Sequence, residues 1–280
     1  MEKYRYEDLT WPEVNEAARA GRIPVLPVGA TEQHGHHLPI KVDRWLVTSV
    51  VDEAARRRPD RLLTMPSVPY GYTTATMDFP GTITIHHETF MRYVIDVLKS
   101  LSYHGFRKMI VVNGHGSNMP PLDLACRRAN METGSQVALA AWWGLTAADP
   151  EFMETWRRSR FPGGCSHACE AETSVALHLD PGLVKMDLAV NELGAANRTE
   201  SKYLWGDLWA HGPVSITRWH GESTESGVSG EARLATAEKG KAIFEEAVKR
   251  LIEFADEFHA RPDPVRRDHH DVRPLSKLPG

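Results

Sequence analysis

Two kinds of hydrophobic pattern alternate along the chain. Thr10-Trp-Pro-Glu13 has the spacing of a capping box with proline in the first turn, and Gly21 follows the apolar pattern as a stop, so a helix is predicted over 10–20. Arg22-Ile-Pro-Val-Leu-Pro-Val-Gly-Ala30 is a short apolar run, read as a buried strand that leads into a polar loop over 31–42. Asp43 can cap a helix running to about Arg57. Strand-like runs follow at 62–68 and 82–85, then a helix over 88–103 stopped by Gly105. The apolar run Met109-Ile-Val-Val112, a helix from Asn118 to Gly134 and a strand over 136–141 continue the alternation. Strands separated by amphipathic helices imply a mainly parallel sheet covered on both faces, because each parallel pair needs a crossover. The fold class is α/β.

The last third is less regular until 232–259, where Ile243, Phe244, Val248, Leu251, Ile252, Phe254 and Ala255 recur at helical spacing. With no repeat and no linker, residues 1–260 read as one domain. Residues 261–280, rich in Pro, Arg, Asp and His, read as a tail that is disordered or an arm on a neighbouring subunit.

Composition narrows the partners. The 280 residues are 41% hydrophobic and 25% charged, which excludes a disordered or fibrous protein. A formal net charge of −4 argues against nucleic acid or an anionic membrane as partner. No apolar run approaches the ~20 residues of a membrane span, and the start lacks the apolar stretch of a secretory signal, so a cytoplasmic location is expected. Three cysteines give no disulfide framework, whereas the 14 histidines gather in short polar segments.

Open α/β sheets place their sites in loops after the carboxyl ends of strands. After the first strand comes Glu32-Gln-His34, whose i, i+2 spacing points carboxylate and imidazole to one side, and Asp43 closes that loop. After the strand at 109–112 comes Asn113-Gly-His115-Gly-Ser-Asn118, where two glycines let the backbone turn and set His115 at the sheet edge. Such a mixed nitrogen and oxygen set suits zinc, manganese or iron and not calcium. The simpler reading makes Glu32 and Asp43 helix caps and the histidines loop residues. Further on, Glu172 falls in the stripe Ala168, Glu172, Val175, Ala176, Leu179, which would bury its carboxylate against a metal, a cation or a donor. It would otherwise snorkel or sit in a salt bridge. Cys165, His167 and Cys169 offer too few thiolates for a persuasive separate zinc site.

Gly29-Ala-Thr-Glu-Gln-His-Gly35 with Leu38-Pro39 and Asp43, then Phe79-Pro-Gly-Thr82, Val112-Asn-Gly-His-Gly-Ser-Asn118, His167 with Glu172-Thr-Ser, and Gly227-Val-Ser-Gly230 with Ala235-Thr-Ala-Glu-Lys-Gly240 keep one order along the chain. In these motifs the sequence resembles the creatininase family of metal-dependent amidohydrolases. The resemblance implies a three-layer α/β/α fold, a homo-oligomer that is commonly a hexamer, and one or two divalent metals per chain. It implies that Glu32, Asp43 and His115 hold one metal, and that His34 holds the other with Asp43 shared. It also implies catalytic positions for His167, as proton donor, and for Glu172, a carboxylate close enough to the metals to serve as a ligand.

Two departures stand out. Creatininase proper carries a glutamate ligand of its second metal where this chain has Ser117, which argues against creatinine as substrate and means either that Glu172 substitutes or that the second site is weak or empty. Met77 stands where many members have histidine, implying a different pocket. By strand-end logic Tyr72, Trp142 and Trp143 reach the site edge, and with His36 and Ser117 they are the expected substrate contacts. Trp205, Trp209, His211, Arg218, Trp219, His220 and Glu222 lie in an irregular segment read as a lid. The expected reaction on a small-molecule substrate is hydrolysis of a C–N bond in a cyclic amide or formamide. The alternatives are hydrolytic C–C opening of a polyhydroxylated cyclic ketone and, from another class, a non-catalytic metal-binding or ligand-binding subunit.

Overall fold

A computed structural model of the chain describes residues 2–198, 200–263 and 265–276. In chain order its elements are α1 (Trp11–Arg19), β1 (Ile23–Val28), α2 (Val42–Arg57), β2 (Leu62–Thr64), α3 (His87–Tyr103), β3 (Lys108–Asn113), α4 (Met119–Glu132), β4 (Gln136–Ala141), α5 (Trp142–Leu145), α6 (Phe152–Trp156), β5 (Cys165–His167), α7 (Glu170–Leu179), β6 (Asn191–Glu192), α8 (Ala195–Arg198), α9 (His220–Ser223), β7 (Ser229–Glu231) and α10 (Ala237–Ala260).

Strands β2, β1, β3 and β4 form one parallel sheet in that order. Every residue of β1 is buried, as the unbroken apolar run requires of a strand covered on both faces. Along β3 the side chains alternate between two layers. Ile110 and Val112 join the cluster built with α2, α7 and α10, while Met109 and Val111 join the one built with α1, α3 and α4. The result is a three-layer α/β/α sandwich. In a second, antiparallel sheet of β5, β7 and β6, β5 leads directly into α7.

Several boundaries differ from expectation. The strand expected over 62–68 ends at Thr64, with one further bridge from Val68 to Val28. The strand expected over 82–85 is reduced to isolated bridges, Ile83 to Thr31 and Thr84 to Gly71, because its neighbours are loop backbone and offer no continuous ladder. Helix α2 starts at Val42 with Lys41 before it, so Asp43 caps nothing and its side chain turns inward. Helix α10 starts only at Ala237, after Thr236 accepts a hydrogen bond from the Lys239 amide at 3.2 Å. Residues 265–276 are exposed throughout.

The seam between α7 and α10 depends on a glycine. A Cβ on Gly240 would lie 1.8 Å from the Ser174 carbonyl oxygen of α7. Gly240→Ala adds up to ~1 kcal/mol of helix propensity, but the clash forces two backbones apart at a cost of ~1–3 kcal/mol or more. We therefore expect a net loss of stability, read as a lower thermal midpoint, by roughly 2–4 °C per kcal/mol for a chain of this size.

Candidate metal centre

The strand order reverses between β1 and β3, so the loops leaving their carboxyl ends diverge and open a crevice. Glu32 and His34 follow β1, His115 follows β3, and Asp43 lies in the first turn of α2. That turn sits directly on the strand ends because Gly29 and Gly114 have no side chains. A Cβ on Gly114 would come within 2.4 Å of the Asp43 carbonyl oxygen, and one on Gly29 within 2.4 Å of Arg44 Cα. The opposite wall comes from the second sheet, with His167 at the end of β5 and Glu172 in the first turn of α7.

Asp43 is the centre of the cluster. Its Oδ1 lies 3.1 Å from His34 Nε2 and its Oδ2 lies 3.1 Å from His115 Nδ1. Glu32 Oε1 is 3.0 Å from His115 Nδ1 and 3.5 Å from His167 Nδ1, and Glu172 Oε1 is 3.7 Å from His34 Nε2. Three overlapping sets emerge, in each of which the ligand atoms lie within 4.8 Å of one another: Glu32, Asp43 and His115; His34, Asp43 and Glu172; Glu32, His34 and His167. Glu172 therefore lies on the buried side of α7 as its stripe implied, although from Glu170 to Ala176 that helix is buried on every side.

Among the described residues, the ionic partners of Glu32, Asp43 and Glu172 within 4.0 Å are all histidines. Glu32 Oε1, His34 Nε2 and Asp43 Oδ2 are buried and lack a hydrogen bond with good geometry. Three buried carboxylates without a fixed cation are expensive, and without metal the histidines must supply the charge. Burial opposes protonation of His115, yet Glu32 and Asp43 outweigh it and push the imidazole up to about 10. His34 is likewise raised well above the usual histidine range against its burial, by Asp43 and Glu172. His167 goes the other way, held well below that range by burial and by the charge on His34.

The surrounding hydrogen bonds arrange the imidazoles as ligands. His34 Nδ1 is 3.2 Å from the Glu32 carbonyl oxygen and His115 Nε2 is 3.3 Å from the Tyr72 carbonyl oxygen. A carbonyl only accepts, so each ring donates outward, and the nitrogen it turns toward the carboxylates is the one that would give up its proton to a metal. Thr76 Oγ1 donates to Glu32 Oε2 at 2.9 Å and the Cys169 amide to Glu172 Oε2 at 3.3 Å. The orphaned atoms and the mixed oxygen and nitrogen donors fit divalent metal.

Ser117 is exposed and lines, with half-buried Tyr72, a cavity of about 380 Å³ shared by Thr74, Arg218, Trp219 and Glu222 of the lid segment. Other expected contacts fall elsewhere. Trp142 and Trp143 are in the core, 1% and 5% exposed, because α5 begins directly at the end of β4 and turns both indoles inward. Trp143 Nε1 donates to the Leu208 carbonyl at 2.7 Å. His36 is exposed, and its neighbour His37 is the inward residue, with Nε2 2.9 Å from Thr173 Oγ1 and burial and His34 holding its pKa down to about 4. Cys165 and Cys169 meet at 3.0 Å, but burial raises the Cys169 thiol and His167 turns Nδ1 toward Glu32, so no separate thiolate zinc set forms there.

Gln33, to which the sequence analysis gave no role, completes the site. Gln33 joins His167, His220 and Gly227 through its amide nitrogen, at 3.1, 3.0 and 2.9 Å. His220 sits edge-on to the His167 ring at 4.9 Å between centroids. The lid assignment covered His220, but a charge-neutral amide such as Gln33 carries no metal signature.

Fold and site together define a hydrolase of the metal-dependent α/β type. A family profile described as creatinine amidohydrolase matches residues 7–255, and the chain belongs to the creatininase family of metal-dependent hydrolases. Creatinine amidohydrolase of Pseudomonas putida is 33% identical over 260 residues, covering 88% of this chain and 94% of that protein. The 3-dehydro-scyllo-inosose hydrolase of Thermotoga maritima is 25% identical over 287 residues, covering 98% of this chain and 86% of that protein. A solved structure described as creatininase with Mn superimposes with a TM-score of 0.75 at 30% identity, covering 92% of this chain and all of that one.

His115→Ala should remove one metal equivalent by elemental analysis, whereas Asp43→Asn, which weakens both sets that share this residue, should remove more metal than His115→Ala. Full occupancy in both variants would show that the ligands lie elsewhere.

Proposed function

We propose that the protein hydrolyses a C–N bond in a small cyclic amide or formamide. The observation that carries this reading is the Asp43-centred cluster of buried carboxylates and imidazoles, linked to a cavity of about 380 Å³ through Tyr72, which lines it and whose carbonyl faces His115. Glu32, Asp43 and His115 would hold one divalent metal, and His34, Asp43 and Glu172 a second, with zinc, manganese or iron suited to these donors. When bound, such a metal supplies a Lewis acid that activates water and polarises the scissile carbonyl. Ser117 and Tyr72, on the cavity wall, would contact the substrate.

The proton donor expected at His167 has its Nε2 2.9 Å from the Gln33 carbonyl oxygen, and a second imidazole, His220, stands edge-on beside it. His220 is better placed to hold the proton for the leaving nitrogen. Its Nδ1 lies 3.0 Å from the Gln33 amide nitrogen and accepts from it, which leaves the proton on Nε2.

The second reading is C–C ring opening of a polyhydroxylated cyclic ketone. It is supported by the Thermotoga maritima relative, which aligns across nearly the whole chain, and by the polar groups of Thr74, Ser117, Arg218 and Glu222 on the cavity wall. Among the described residues no helix is long and apolar enough to cross a membrane, which accords with a cytoplasmic enzyme. Assembly into a homo-oligomer, a hexamer by family resemblance, is supported by exposed Tyr203, Val214, Ile216 and Trp219 in the lid segment.

Metal-loaded protein should be offered cyclic amides, formamides and polyhydroxylated cyclic ketones, with products followed by NMR. Amine or amino-acid release supports the first reading, and an opened keto acid with no nitrogen loss replaces it with the second. His220→Ala should keep its metal and lose about 10²-fold in turnover, the usual contribution of a positioned acid. Near-normal turnover would reject the proton-holding role.

A further inference from the structure

Arg218 is a charged group on the cavity wall that the metal centre does not use. It lines the cavity of about 380 Å³ with Thr74 and Ser117, which come from other loops, and with Glu222 of its own segment. Among the described residues no acidic side chain lies within 4.0 Å of its guanidinium. Arg57 and Arg157, by contrast, each meet a carboxylate, at 2.7 and 2.6 Å. Arg218 also stands just before the start of α9, where a helix gives no stabilisation to a cation, whereas Glu222 lies in the first turn, where a carboxylate is favoured. The uncompensated charge on this wall is therefore positive.

That charge sits at a bounded reach from the metal centre. Trp219 is extended, with φ −63° and ψ 140°, and the next residue is His220, whose Nδ1 is 3.0 Å from Gln33 Nε2. Two residues of chain span at most about 7 Å, so the Arg218 backbone begins no farther than that from His220. Ser117 follows His115 by two residues and has the same bound. A substrate whose scissile carbonyl sits at the cluster thus places the groups a few bonds away between Arg218 and Ser117, with the 47% exposed Trp219 as an apolar face beside them. A guanidinium is a rigid fork of donors that matches a carboxylate through two parallel hydrogen bonds, and a substrate that displaces water from the cavity strengthens that pairing. We propose that Arg218 is a specificity-determining residue that binds a carboxylate of the substrate. The compound hydrolysed is then anionic, an N-formyl amino acid or a cyclic amide with a carboxylate near its ring nitrogen.

The inference rests on the amide reading of the site, and its test separates the two. Metal-loaded full-length protein is assayed with two matched pairs, N-formyl-L-alanine against N-formyl-L-alaninamide and 5-oxoproline against 5-oxoprolinamide. Wild type should favour the carboxylate member of the hydrolysed pair by at least ~10-fold in KM, the usual weight of a charge-assisted hydrogen bond. Arg218→Ala should raise KM for that member by at least ~10-fold with kcat within ~3-fold, because it removes binding shared by ground and transition states, and should leave the amide member as it was. Arg218→Lys should keep part of the preference, as a point charge without the fork, and Glu222→Gln should tighten the carboxylate member by removing a like charge from the wall. Calorimetric titration of the same proteins with N-acetyl-L-alanine and N-acetyl-L-alaninamide reads the preference without turnover. Hydrolysis of neither pair overturns the amide reading, and the calorimetric arm still decides the role of Arg218. Equal binding of the two N-acetyl compounds by wild type, or a preference that survives in Arg218→Ala, overturns this inference alone.

Discussion

Three carboxylates buried at one point, with only histidines as ionic partners among the described residues, form the constraint on which the rest of this structure depends. Like charges at this separation repel strongly in a low-dielectric interior, so the surrounding structure must hold them together and a cation must balance them. The parallel sheet provides the rigid base, since the ends of β1 and β3 are fixed by a continuous register from Val25 opposite Ile110 to Val28 opposite Asn113. Helix α2 brings Asp43 onto those ends through two glycine contacts, and the α7–α10 seam presses Glu172 in from the other side. Each of these is backbone packing, which is why the charged side chains have little freedom to move apart.

The parallel sheet and much of the centre could be read from the chain because their signals are local. A strand covered on both faces is an unbroken apolar run, as in β1 and β3, and ligands at its end fall in a short polar loop. The errors occur where local periodicity stops. Gly35 adopts a φ of +66°, so the alternation that places His34 inward does not carry on to His36, and His37 is the residue that turns in. Strand-end reasoning sent Trp142 and Trp143 to the site, but a helix starts at Trp142 without an intervening loop. Asp43 read equally well as a cap or a ligand, because both roles ask for a carboxylate at a helix start. The work of Gln33 was illegible for another reason: its partners His167, His220 and Gly227 lie 134, 187 and 194 residues away, and only the folded chain brings them together.

The antiparallel sheet gives the molecule a division of labour. Three of the candidate ligands belong to the loops of β1 and β3 and a fourth to α2, whereas His167 and Glu172 belong to a separately built unit. The centre is thus a joint between two substructures. A metal held there would tie β5 and α7 to the parallel sheet and contribute to the stability of the whole chain, as ligands that bind only the folded state do.

Ser117 can be considered from the standpoint of evolutionary drift. It is exposed on the cavity wall and belongs to none of the three ligand sets. Substitutions at such a position alter what the cavity accepts without disturbing the charge balance beneath it. A lineage that moves a ligand off this loop therefore frees the loop to explore new substrates while the reactive centre stays as it was.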